Sequence, residues 1–262
     1  MLWLFFLVSL SASVIGGICG VGGGVIIKPV LDAVGVMSVS SISFLSGCTV
    51  LSMSVISVLR NSRNRGMIDV RTSTPLAVGS VFGGIIGKSL FDILKSLLQN
   101  ENHLGAVQAG LLLIVTLGAL LYSVYSGRIR TCHVSSLAGC VLIGLALGAI
   151  SSFLGIGGGP INLTVLFFFF SMDIKKAAAN SLYIIMFSQL ASLLQTLING
   201  SVPPISVLIL VFMVVAGVTG GIIGGHLNQK ISEETVDRLF IGFMAVIIVI
   251  NLYNIVKFTV LS

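Results

Sequence analysis

Two stretches decide the fold: GVGGGVIIKP at 20–29 and FLGIGGGPINLTVLFFFF at 153–170. Each sets a glycine triplet, Gly22-Gly23-Gly24 or Gly157-Gly158-Gly159, inside apolar sequence. Glycine loosens the backbone, and an unpaired backbone N–H or C=O inside a bilayer is tolerated only where protein or a wet cavity meets it. A break at such a place therefore predicts a polar partner. After each triplet a short helix restarts, VIIKPVLDAV in one case and PINLTVLFFFF in the other. Pro160 suits a first helical turn, where its missing N–H has no partner to lose.

The sequence around the breaks belongs to a membrane. Of 262 residues, 56% are hydrophobic and only 8% charged, against about a quarter charged in a soluble domain. The apolar runs recur at about 20 residues, the helix length a hydrocarbon core of about 30 Å demands. They are continuous rather than alternating, which excludes a β-barrel. An all-α, multi-pass membrane protein follows. The net charge of +6 lies in short connectors, as orientation signals do, and not in a nucleic-acid-binding patch. The four cysteines show no CxxC and no histidine partners at metal spacing, so they read as helix-packing thiols, with no metal site and no cofactor expected. MLWLFFLVSLSAS at the start has no Lys or Arg before its apolar run and reads as a retained membrane segment.

The chain also repeats itself. A shift of 135 lays Gly22-Gly23-Gly24 on Gly157-Gly158-Gly159, Leu31 on Leu166, Met37 on Met172, Ser46 on Ser181 and Ser57 on Ser192. After a slip of two residues, GGIIG at 83–87 falls on GGIIG at 220–224. The copies are assigned to 1–127 and 128–262, one integrated transmembrane domain hinged near SGRIRTCHVSS at 126–136. Full crossings are predicted near 40–60, 74–95, 104–126, 176–198, 205–227 and 238–258, leaving 2–35 and 134–172 as the broken segments.

If each broken segment enters and returns on one side, the second copy is inverted relative to the first. That arrangement puts Arg60, Arg63, Arg65, Arg71, Arg128, Arg130, Lys175, Lys176, Lys230 and Arg238 in the cytoplasm, ten of the fourteen Lys and Arg residues. Parallel copies split the same residues about evenly. Cytoplasmic loops carry the Lys/Arg excess, so the reading is two inverted repeats, each a re-entrant helical hairpin plus three transmembrane helices. Connectors agree: RNSRNRGMIDVR is strongly basic, whereas NGSVPP is uncharged. Repeats of this kind are common in secondary transporters.

A helix that starts at mid-depth aims free N–H groups and a positive dipole end at the break, the elements of an anion site. The two breaks are therefore expected to converge near the midplane and hold a small anion. The alternative role, close helix packing through small residues, suits Gly79, Gly83, Gly87, Gly220 and Gly224, which keep four-residue spacing within uninterrupted runs.

GVGGGVIIKP and GIGGGPINL, one per half, resemble the paired signature of the TauE/SafE sulfite-exporter family, also called the TSUP family. DIKKAAANS at 173–181 is similar to the segment that follows the second signature. The resemblance spans essentially the whole chain. It implies transport of sulfite, a sulfonate or a related small sulfur-containing or organic anion across the bacterial cytoplasmic membrane. Val25 stands opposite Pro160 and Lys28 opposite Leu163, so the halves are unequal.

The expected anion-binding set is the six triplet glycines with Lys28, Asn162, Ser46, Asn180, Ser181 and Gln189. Lys28, one turn into the first short helix, could neutralise an anion, snorkel to the interface or pair with Asp32. Amides and hydroxyls at the other positions could donate to anion oxygens or hydrogen-bond between helices. GGIIGKS at 83–89 falls short of a phosphate-binding loop, because Phe82 stands where a glycine is needed. GIGGGP lacks the last glycine of a dinucleotide fingerprint and the βαβ setting around it. No nucleophile–base pair or HExxH motif for an intramembrane enzyme occurs. The expectation is a secondary transporter working by alternating access, driven by an ion gradient, with proton and sodium as candidate ions, or by the membrane potential, with a passive anion channel as the alternative.

Overall fold

The computed structural model describes residues 2–62, 66–98, 100–125 and 131–260. Ten α-helices lie among them: α1 Leu2–Cys19, α2 Gly24–Val34, α3 Val39–Asn61, α4 Val70–Leu98, α5 Glu101–Tyr125, α6 Leu137–Leu154, α7 Pro160–Phe170, α8 Ile174–Ile198, α9 Val207–Lys230 and α10 Glu233–Val260. Eight are long and apolar enough to cross a membrane; α2 and α7, of 11 residues each, are not. All six predicted crossings coincide with α3, α4, α5, α8, α9 and α10. The basic positions Arg63, Arg65, Arg128 and Arg130, and the boundary at 127/128, lie outside the described residues.

The helices begin where short polar side chains cap them. Ser38 accepts from the Ser41 N–H to open α3, Ser136 from Gly139 to open α6, and Asp173 from Lys176 to open α8. Gly35 and Gly155 close α2 and α6 in the left-handed conformation that glycine adopts without strain.

Both broken segments are hairpins. Gly23 at the start of α2 lies beside Ser13 of α1, and Phe5 near the start of α1 shares a core cluster with Leu31 near the end of α2. In the second hairpin, the Cys132 and Val134 N–H groups donate to the Phe168 and Phe169 carbonyls at 2.7 and 2.9 Å, so the segment entering α6 is tied to the end of α7. α6 leaves and α7 returns to the same face.

The packing is two-fold. α4 lies on α6 and, in the other half, α9 on α1; α4 on α8 is matched by α9 on α3, and α5 on α7 by α10 on α2. The helices α3 and α8, repeat counterparts, run antiparallel: Gly47 sits beside Gln189 and Leu193, and Val50 beside Ile185. So do α5 and α10, through Gly105 with Phe258 at one end and Ser123 with Asp237 at the other. Antiparallel counterparts are consistent with inverted copies.

The four-residue glycine stripes pack helices, as expected. A Cβ on Gly79 or Gly83 would strike the Val141 or Leu145 carbonyl, and one on Gly224 the Val14 carbonyl. Backbones touch along both interfaces, the way small residues bring membrane helices together. GGIIGKS lies inside α4 and forms no loop. The cysteines divide: Cys19 and Cys140 are buried and Cys48 half-buried, but Cys132 is exposed, because it precedes α6 in the connector.

Candidate functional site

The two breaks meet. Gly24 abuts the Ile156 carbonyl so closely that a Cβ there has no room, and a Cβ on Gly159 would overlap Val25. Gly22 and Gly157 both lie against Val50 and Ile185, residues near the middle of α3 and α8. The breaks thus sit at mid-depth of two membrane-length helices. Gly22, Gly157, Gly158 and Gly159 have positive φ, from 63° to 115°, where a side chain is strained. Neither α2 nor α7 receives a side-chain cap at its start, unlike α3, α6 and α8, which begin near a membrane face.

The space between the triplets is filled by Val50, Ile185, Val25 and Ile156. The expected cradle is closed at its centre, and the room lies alongside it. A vestibule of about 480 Å³ opens on the face that carries NGSVPP. Ser201, Pro203 and Pro204 rim it, and Ser43, Gly47, Ser152, Gly155 and Gln189 form its deeper wall. Gly155 is two residues from the second triplet. Ser43 Oγ, Ser152 Oγ and Gln189 Nε2 are buried there without a hydrogen-bond partner, a rare state for buried polar groups. Lys88, Lys95 and Asp92 line the same space, two cations against one carboxylate; Lys88 pairs with Asp92 at 2.8 Å.

The residues singled out in the sequence fall into three places. Asn162 lies on the second break, and Ser46 and Ser181 lie on α3 and α8, the helices whose middles meet both breaks. The Asn162 amide folds over Gly158, and its Oδ1 has no partner. Ser46 and Ser181 lie one turn before Val50 and Ile185 and are fully buried, and neither Oγ has a partner. Gln189 belongs to the vestibule. Asn180 is elsewhere, spent on holding the segment before α4: its Oδ1 accepts from the Asp69 N–H at 2.8 Å and Ser73 Oγ at 2.6 Å, and its Nδ2 donates to the Met67 and Lys176 carbonyls. Those bonds use all the capacity of an amide. Lys28 is buried in α2 and donates to Asp32 Oδ2 at 3.1 Å, the pairing alternative among its expected roles.

Sequence reading missed Ser43, Ser152 and Lys88. Serines are too common in this chain to stand out, and Lys88 sits in the near-miss phosphate-loop motif. One signal was present: Gly155 is the repeat counterpart of Gly20. Gly20 packs on Ala178 of α8, and Gly155 packs on Ser43 of α3, the counterpart of Ala178.

The family described as Sulfite exporter TauE/SafE matches residues 5–251. The chain belongs to that family. A curated relative, "Probable membrane transporter protein YunE" of Bacillus subtilis (strain 168), is 22% identical over 269 residues, covering 94% of each chain. No solved structure matches the chain. Family and relative together indicate a multi-pass membrane transporter, and the match takes in both glycine breaks, the vestibule and all the expected site residues.

Proposed function

We propose that this TauE/SafE protein is a secondary transporter, not an enzyme, that moves a small sulfur-containing or organic anion, sulfite or a sulfonate among the candidates, by alternating access. One observation carries the reading: a vestibule with buried, unpartnered donors ends two residues from a mid-depth helix break that meets its repeat counterpart. In it, the anion enters past Lys88 and Lys95 and is met by Ser43, Ser152 and Gln189. It then passes between the breaks when the two hairpins part. There Asn162, Ser46, Ser181 and the uncapped starts of α2 and α7 take over. Each helix start supplies about 0.3–1 kcal/mol, up to about 2 when partly buried, so two starts with side-chain donors are needed for useful affinity. The filled contact between the triplets favours a carrier over a standing pore.

The test is uptake of labelled sulfite, thiosulfate, sulfoacetate and taurine into proteoliposomes, with and without a proton or sodium gradient. Saturable, gradient-driven accumulation of one of them is expected. Non-saturating downhill leakage would replace the carrier with a channel, and no flux of any of the four would remove the sulfur-anion assignment.

A further inference from the structure

The first hairpin carries a buried ion pair that the second does without. In α2, Lys28 and Asp32 are 2% and 6% exposed and 3.1 Å apart. Their repeat counterparts in α7 are Leu163 and Phe167. Both helices have 11 residues and do the same packing job, α2 on α10 and α7 on α5. The architecture is thus built once without the pair. Replacing a buried ion pair by apolar residues of similar volume is often neutral or stabilising, so scaffolding alone gives little reason for these two charges. Ionisable groups at this depth mark ion and proton pathways.

Asp32 also borders a cleft. Its Oδ1 has no hydrogen-bond partner, and the residue lines a cleft of about 320 Å³ on the vestibule face, together with Ser38, Glu101, Asn102, Tyr253 and Lys257. Among the described residues, the charged and titratable groups around it are few. Lys28 faces it from its own helix; Lys257 of α10 donates to the Asp32 and Ala33 carbonyls at 2.8 and 3.0 Å; Tyr253 of α10 and Glu101 of α5 sit on the cleft wall. The neighbouring side of α3 offers Ser38 and Ser40, Ser40 donating to Glu101, and the buried part of α1 offers only serines among polar groups. Asn254 bonds the Pro29 carbonyl and keeps its own Oδ1 free.

We propose that Asp32 is a proton-loading site that couples anion transport to proton movement; this rests on the transporter reading above. The Asp32 carboxylate takes up a proton relayed from a hydronium ion in the cleft that the residue lines, leaving water behind and a neutral carboxyl on α2. Lys28 stays protonated and loses its counter-charge, one helical turn from Gly24, about 6 Å along the axis. A positive charge there favours an anion at the break, and by linkage an anion at the break favours the proton by the same factor. Proton and anion therefore bind together and cross together, and both leave when the carrier opens to the other side. The lone pair in hairpin one makes this a single site per chain.

Proteoliposomes with a pH dye inside, given whichever of thiosulfate and sulfoacetate shows saturable labelled counterflow, provide the test. Wild type is expected to acidify its lumen under an inward anion gradient. Asp32→Asn is expected to keep labelled counterflow, since a permanently neutral carboxamide mimics the loaded state, and to lose acidification. Acidification by Asp32→Asn at the wild-type rate overturns the proposal. So does wild-type flux without acidification, which leaves the transporter reading standing. Absence of labelled flux in wild type is a failure of the sulfur-anion transport reading, seen before any pH trace is read. If Asp32→Asn does not stay monodisperse, the Lys28→Leu/Asp32→Phe pair, which copies hairpin two, takes its place, and retained acidification there again overturns the proposal. In weakly buffered detergent, adding the anion to wild type is expected to draw in up to one proton per chain, and no uptake overturns it.

Discussion

At the NGSVPP face, Lys88 of α4 lines a vestibule and Gln189 and Ser192 of α8 wall it. At the other face the counterpart parts are α9, α3 and α1, and they are shut. Gly225 stands in the place of Lys88, and the guanidinium of Arg60 fills the space beside it, Nη1 donating to the Ile222 carbonyl at 3.2 Å. Asn228, in the place of Phe91, donates to the Ile18 carbonyl that ends α1, and Lys175 closes on the Ile231 carbonyl at 2.7 Å. Two nearly equivalent sets of helices thus pack differently: one lines a vestibule, and the other is held together by Arg60, Asn228 and Lys175. In the proposed carrier the two sets exchange these arrangements, and a ligand shifts such an equilibrium only by its differential affinity for the two.

The largest expected effect comes from the contact between the two breaks. Gly157→Val places a side chain where φ is +77° and where even a Cβ would lie 2.5 Å from Val50 Cγ1. The left-handed backbone costs about 1–2 kcal/mol and overpacking about 1–3 more, so this variant is expected to lose most of its folded yield on detergent size exclusion. Gly118→Ala, with nothing within 4 Å of the new methyl, is the control and should gain slightly, as alanine does over glycine in a helix interior. Equal yields for the two would remove the breaks from the fold's core.

Asn180→Ala comes next. It leaves the Ser73 hydroxyl without its acceptor at a buried site and the Asp69 N–H without its acceptor at a part-buried one. An orphaned buried group costs about 1–3 kcal/mol, so thermal stability in detergent should fall while the anion concentration giving half-maximal counterflow stays unchanged. A large rise in that concentration with unaltered stability would return Asn180 to the anion site.

Most of the helix plan was legible in the sequence because hydrophobic length and glycine placement act locally. The runs near 40–60 and 176–198 are each preceded by a start signal, Ser38 and Asp173 as caps. The convergence of the breaks was legible through the repeat. Less visible was which side of a helix an internal polar residue faces. Asn180 and Ser181 are neighbours in a motif, yet Asn180 turns to the loop before α4 while Ser181 lies one turn from the break-facing Ile185. Nor could the sequence show that the triplets are packed shut, because that depends on Val50 and Ile185 arriving from two other helices.

The closed face can be forced. Arg60→Ala removes the plug beside Gly225, and its effect is read by a cysteine at Ser57, the counterpart of the vestibule residue Ser192, in a background without the four native cysteines. Ser57 is 1% exposed, so a membrane-impermeant thiol reagent should label it slowly with Arg60 present and about tenfold faster without it, a shift of about 1.4 kcal/mol in the opening equilibrium. Ser192→Cys should label readily in both. If both labelled from one face of sealed vesicles, the inverted arrangement would be lost along with the plug.

The smallest effect distinguishes a vestibule that binds from one that merely admits. Gln189→Ala removes an amide whose Nε2 is buried without a partner, and Lys88→Ala removes a cation held near the Phe91 ring at 4.7 Å and paired to Asp92. A donor that contacts the anion contributes about 0.5–1.5 kcal/mol, so Gln189→Ala should raise the half-saturating anion concentration about three- to tenfold at any ionic strength. Lys88 is 13% exposed in its side chain, and its action on an approaching anion is screened over about 8–10 Å at physiological salt. Its loss should therefore weaken uptake at low salt and matter progressively less as salt rises. The two profiles separate contact from steering, and if both variants follow the salt-dependent one, the binding donors belong to the breaks alone and the vestibule is only their entrance.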